Sequence, residues 1–128
     1  MTIKLHWFLP TTGDSRGLVG GGHSVPQGVG VPVDQAGTAT QFREANIDYL
    51  ASVARTADQL GFEGVLTPTG TWCEDAWLVT SALIRETRRL KFLVAFRPGV
   101  TSPTLSAQMA AAFQRISGGR LLLNVVTG

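Results

Sequence analysis

Two apolar runs near the C-terminal end constrain this chain most. Leu90-Lys91-Phe92-Leu93-Val94-Ala95-Phe96 and Leu121-Leu122-Leu123-Asn124-Val125-Val126 are almost free of polar residues. They read as strands, and strands this continuously apolar belong in sheets covered on both faces. Between them, Ser102-Pro103 offers an N-cap followed by a first-turn proline, and Gly118-Gly119 offers a stop. That segment predicts a helix whose core face is Leu105, Met109, Ala112, Phe113 and Ile116.

The alternation extends upstream. Ile3 to Leu9 predicts a first strand, closed by Pro10. About Phe42 to Leu60 predicts a helix, because Ile47, Leu50, Ala51, Ala54, Ala57 and Leu60 recur at spacings of three and four. Gly61 stands where a left-handed cap is wanted. About Phe62 to Thr67 is a second strand, and Asp75 to Glu86 a second helix, with Glu74 and Asp75 at its positive end. Strand, helix, strand, helix, strand, helix, strand implies a parallel sheet with right-handed crossovers. The fold class is therefore α/β: an incomplete parallel TIM-type (β/α) barrel with about four strands and three helices. An open doubly wound sheet is the alternative. Against it, Gly20-Gly21-Gly22 does not directly open a helix, so the phosphate fingerprint of such sheets is missing.

Residues 1–128 are one domain's worth of chain. The stretch Gly13 to Gly37 holds eight of the fifteen glycines and has no regular period. It predicts a Gly-rich insertion loop over 13–41, a functional lid or a disordered segment.

Composition excludes several classes. The chain is 44% apolar and 16% charged, with no apolar run near the ~18 residues of a membrane span. The start, Met1 to Trp7, lacks the layout of a signal peptide. Cys73 is the single cysteine, so no internal disulfide is available, which fits a cytoplasmic location. Net charge is +2, and the basic cluster Arg85, Arg88, Arg89 and Lys91 lies where cations complement a helix C-terminus. No nucleic-acid or membrane partner is expected.

In parallel β/α folds, ligands meet the C-terminal ends of the strands. Here those ends carry Pro10-Thr11-Thr12-Gly13-Asp14, then Thr67 to Asp75, then Arg97-Pro98-Gly99, then Asn124 and Thr127-Gly128. All four lie on one rim. Thr67 and Thr69 either cap the turn around Pro68 or serve a ligand. Cys73, just before a helix N-terminus, is either a reactive thiol or a small core residue. Arg97 either holds an anion or pairs with Asp14, Glu74 or Asp75. Asn124 interrupts an apolar strand, so its amide either ties strands together or addresses a ligand; its place near the functional end favours the ligand. His6 and His23 form no metal pattern, and no metal site is expected. Trp7, Trp72 and Trp77 read as core or pocket-wall aromatics.

Taken together, Trp7-Phe8-Leu9-Pro10-Thr11, Gly64-Val65-Leu66 with Pro68-Thr69-Gly70, Cys73-Glu74-Asp75-Ala76-Trp77, Leu90 to Ala95, Arg97-Pro98, Thr101 to Thr104, Gly119-Arg120 and Val126-Thr127-Gly128 form a series. It resembles the N-terminal part of the flavin-dependent alkanesulfonate monooxygenases, in the bacterial-luciferase-like superfamily. The likeness spans nearly the whole chain except Ser15 to Gln41. It implies an enzyme that uses reduced FMN, supplied by a separate NAD(P)H-dependent reductase, and O2 to convert alkanesulfonates into aldehyde and sulfite. By resemblance, Cys73 is the active-site cysteine. Ala95, Asn124 and Thr127 line the flavin pocket. Thr12 and Arg97 face the substrate. The family often has His where this chain has Thr12, and its loop after the first strand is usually shorter. The family chain is about three times longer, and its catalytic Arg and His belong to later segments.

Three functions remain open at this point: an alkanesulfonate monooxygenase, a related dimethyl sulfone or methanesulfonate monooxygenase, and an inactive truncated product. A complete barrel needs eight strands and roughly 250 residues. Four strands leave two unpaired edges, so the isolated chain is expected to be homo-oligomeric or poorly soluble, and inactive.

Overall fold

The computed structural model describes residues 2–12, 44–70 and 73–127. The insertion loop over 13–41 lies outside them, as do Asp14, Gly20 to Gly22, His23 and Trp72. The described elements are β1 (His6–Phe8), α1 (Ile47–Gln59), β2 (Gly64–Thr67), α2 (Ala76–Leu83), a single 3-10 turn (Ile84–Glu86), β3 (Lys91–Phe96), α3 (Pro103–Ser117) and β4 (Leu121–Val125). The strands form one parallel sheet in the order β1-β2-β3-β4. This is the incomplete α/β barrel that the sequence predicts.

The element ends follow local chemistry. Helix α1 starts later than predicted because Asn46 caps it, accepting from the Tyr49 N–H at 2.9 Å. It ends at the predicted Gly61, whose φ of +81° suits a residue without Cβ. The Phe62 N–H reaches back to the Ala57 carbonyl at 3.1 Å, closing a Schellman-type end. Asp75 caps α2 through the Leu78 N–H at 2.8 Å. The predicted second helix tightens into the 3-10 turn at Ile84. Ser102 caps α3 through the Leu105 N–H, Pro103 opens it, and Gly118 leaves it at φ +69°, as the sequence reading expects.

Register sorts the side chains into two faces, because successive residues of a strand point oppositely. Val65, Thr67, Phe92, Val94 and Leu121 share the face that meets the helices. Phe92 sits edge-on to Phe113 of α3 at 5.9 Å, and Trp77 of α2 stands between Phe96 and Phe113. With Leu9, Leu50, Ala54 and Leu83 these form the buried core. Gly64 is required where β1, β2 and β3 crowd: a Cβ there would lie 2.7 Å from the Lys91 carbonyl oxygen and 3.1 Å from His6 Nδ1.

The predicted core face of α3 is corrected. Only Phe113 and Ser117 are buried; Leu105 and Ile116 are exposed, and Met109 and Ala112 are half-buried. The helix rests on β3 and β4 along a narrow line, so its flank beyond β4 meets no described element. Likewise Ile47 and Leu60 of the predicted α1 face are exposed, at the two ends of that helix.

A polar clasp closes the N-terminal end of the sheet. The Asp58 carboxylate accepts backbone N–H groups from Arg88, Arg89 and Leu90 at 2.7 to 3.0 Å. Burial raises its pKa, but these three bonds and the Arg89 charge outweigh that and hold it below the usual carboxylate value. The Arg120 guanidinium donates to the carbonyls of Ile84, Thr87, Leu90 and Ser117 and to the Thr87 hydroxyl. It also lies over the Phe92 ring, 5.6 Å from the centroid. Burial lowers its pKa, partly offset by Asp58. The basic cluster thus serves differently from the prediction. Lys91 pairs with Glu63 at 2.6 Å, and the Arg89 guanidinium meets the Asp58 carbonyl at the end of α1, not that of α2.

Candidate functional site

The open face of the sheet, opposite the helices, is ordered in rows by the strand register. Lowest is Gly64 beside Lys91 and His6. Above it runs an apolar row, Phe8, Leu66, Leu93 and Leu122, one residue from each strand. Above that, toward the C-terminal ends, Ala95 and Asn124 are register partners. In a closed barrel this face lines the interior.

Ala95 is only 3% exposed, so its methyl group leaves little bulk above the apolar row. Asn124 is half-buried, and among the described residues its side-chain amide has no hydrogen-bond partner. The strand-tying role for this amide is therefore not seen. A small wall residue beside an uncommitted amide, above an apolar floor, suits a flat heteroaromatic ring with polar edges. That is the chemistry of a flavin, and these residues fit it.

Two corners of the rim hold the other candidates. At the first, the Glu74 N–H donates to the Thr11 carbonyl at 3.1 Å, and the Cys73 N–H to the Gly70 carbonyl at 3.1 Å. These bonds carry the start of α2 to the end of β1 and bring Thr12 and Cys73 to one corner. Both are half-buried. Cys73 Sγ lies against Gly70. At the second corner, the Val126 N–H bonds the Phe96 carbonyl at 3.0 Å, continuing the pairing of β3 with β4 past their named ends. Thr127 is thereby held next to the turn that Arg97 opens. Both are exposed, and among the described residues Arg97 has no ion pair with Glu74, Asp75 or any other acid. Asp75 is engaged as the α2 cap. All other described cations lie on the helices or toward the N-terminal end of the sheet.

Two rim groups go beyond the sequence reading. The hydroxyls of Thr11 and Thr67, 1% and 0% exposed, have no partner among the described residues. Thr67 does not cap the turn around Pro68. The signal in the sequence is a threonine beside a proline at two successive strand ends, Pro10-Thr11 and Thr67-Pro68. Trp77 is a core aromatic as expected, while Trp7 packs edge-on to Phe62 at 5.3 Å and stays half exposed. Among the described residues no group of His, Cys, Asp and Glu could hold a metal ion, and no helix is long and apolar enough to cross a membrane.

The family model for luciferase-like monooxygenases matches residues 3–128, and so takes in all four strand ends described above.

Proposed function

Because the chain belongs to the luciferase-like monooxygenase family, a family generally dependent on flavin, we propose that it is the N-terminal part of a two-component alkanesulfonate monooxygenase using reduced FMN. The observation that carries the reading is the pairing of Ala95 with Asn124 above the row Phe8, Leu66, Leu93 and Leu122. The flavin, reduced by a separate NAD(P)H-dependent reductase, would supply the reactivity toward O2 that cleaves the carbon–sulfur bond.

The chain's own residues bind, orient and exclude water. Ala95 lets the ring lie close to β3, the Asn124 amide addresses its polar edge, and Thr127 extends that wall. Arg97 is the cation available for a sulfonate: its fork of donors matches the trigonal oxygens. Thr12 adds a hydroxyl from the opposite corner, and Cys73 stands beside it against the reacting region. The products are an aldehyde and sulfite.

A chimera tests this reading. Residues 1–128 are substituted for the corresponding segment of a working alkanesulfonate monooxygenase. Sulfite release from octanesulfonate is expected, with Arg97→Ala raising KM at least tenfold and Asn124→Ala weakening FMN binding at least tenfold. These losses correspond to about 1.4 kcal/mol or more each. Flavin binding combined with turnover of dimethyl sulfone alone would move the substrate to the related organosulfur class. The isolated 128-residue chain is expected to release no sulfite.

A further inference from the structure

The described sheet has two open edges, since β1 pairs only with β2 and β4 only with β3. Both edges are apolar. On the helix-facing side, Trp7 is 54% exposed, continued upstream by Leu5 and Ile3, while β4 exposes Leu123 at 47% and Val125 at 56%. On the inner face Phe8 is 39% exposed. Natural edges are protected by charge, proline or a bulge. Leu121 to Val125 has none of these, and Lys4 beside β1 is drawn toward Glu63 at 3.5 Å.

We propose that two copies of this chain associate about a two-fold axis parallel to the strands, each β4 pairing with the partner's β1, to close one eight-stranded barrel. A two-fold in that direction preserves strand direction, so both new seams are parallel, like the three pairings already present. It also satisfies both edges with one kind of contact, and the assembly closes. Pairing β1 with β1, or β4 with β4, would be antiparallel and would leave the other edge open. Four strands from each copy make the number at which side chains fill a TIM-type barrel. The area suffices: with roughly 100 Å² exposed on each of Ile3, Leu5, Trp7, Phe8, Leu123 and Val125, two copies offer on the order of 1,200 Å², the lower bound for a specific dimer. The closed barrel would carry two equivalent Ala95–Asn124 pairs at one mouth. The inference rests on the fold, not on the flavin reading.

The test uses the 128-residue chain without flavin, so its outcome is separate from that of the proposed activity. Light scattering should give twice the chain mass of 13.6 kDa. Amide exchange should slow at β1 and β4 together as concentration rises. Leu123→Lys should give a monomer with an unchanged circular dichroism spectrum, whereas Leu78→Lys, on the exposed side of α2, should leave the dimer intact. A monomer of the unaltered chain, an open-ended polymer, or a dimer protected at one edge alone would overturn the proposal. So would a Leu123→Lys chain of undiminished mass.

Discussion

At the scale of single residues, the structure is held by a few positions with no freedom to change. Gly64→Ala would place a methyl group against the Lys91 carbonyl, and backbone cannot rotate aside. A loss of about 3 kcal/mol is expected in urea unfolding. Asp58→Asn removes part of a carboxylate that accepts three backbone N–H groups, and about 2 kcal/mol should be lost at neutral pH. The pH dependence has a definite sign. The Asp58 pKa is lowered on folding, so its stabilisation is complete above the ordinary value near 3.8 and fades as pH falls through the lower native value. The gap between wild type and Asp58→Asn should narrow below about pH 4; a constant gap down to about pH 2 would refute the role. Legibility in the sequence differed sharply between residues. Asn124 stands out as a polar break in an apolar run, but only the register shows that it neighbours Ala95. Asp58 gives no signal, because its partners lie some thirty residues away and offer only backbone N–H groups.

At the scale of elements, termini were legible and faces were not. Capping is a local matter, so Ser102-Pro103 and Gly61 mark their helix ends correctly. Ser102→Ala should cost about 1 kcal/mol, seen as a lower urea midpoint with an unchanged slope. Burial depends on what lies alongside. The spacing that places Leu105 and Ile116 on the core side of α3 is a sound helical pattern, yet the described neighbours cover only Phe113 and Ser117. Strand β1 shows the same limit. Seven apolar-rich residues predict a strand, but regular pairing with β2 is confined to His6–Phe8, since only one side has a partner. The rim corners need tertiary bonds such as Glu74 to Thr11, which no spacing rule encodes.

At the scale of the whole molecule, stability and candidate chemistry sit at opposite ends of one sheet. Arg120 and Asp58 tie α1, the 3-10 turn, β3 and β4 together at the N-terminal end. Arg120→Lys loses the planar fork that serves four carbonyls, and about 2–3 kcal/mol should follow. If two copies close the barrel, the melting temperature should rise with protein concentration, since association is then part of folding. The separation of the two ends also bears on how such a chain can change. Thr12, Arg97 and Thr127 make no side-chain hydrogen bond among the described residues, so new side chains there subtract nothing from the clasp. A library randomised at those three positions should keep its melting temperature within a few degrees while its preference among anions drifts. Selection acting on ligands can thus explore the mouth of this sheet almost without a viability cost, because the part that must not vary is a full strand-length away.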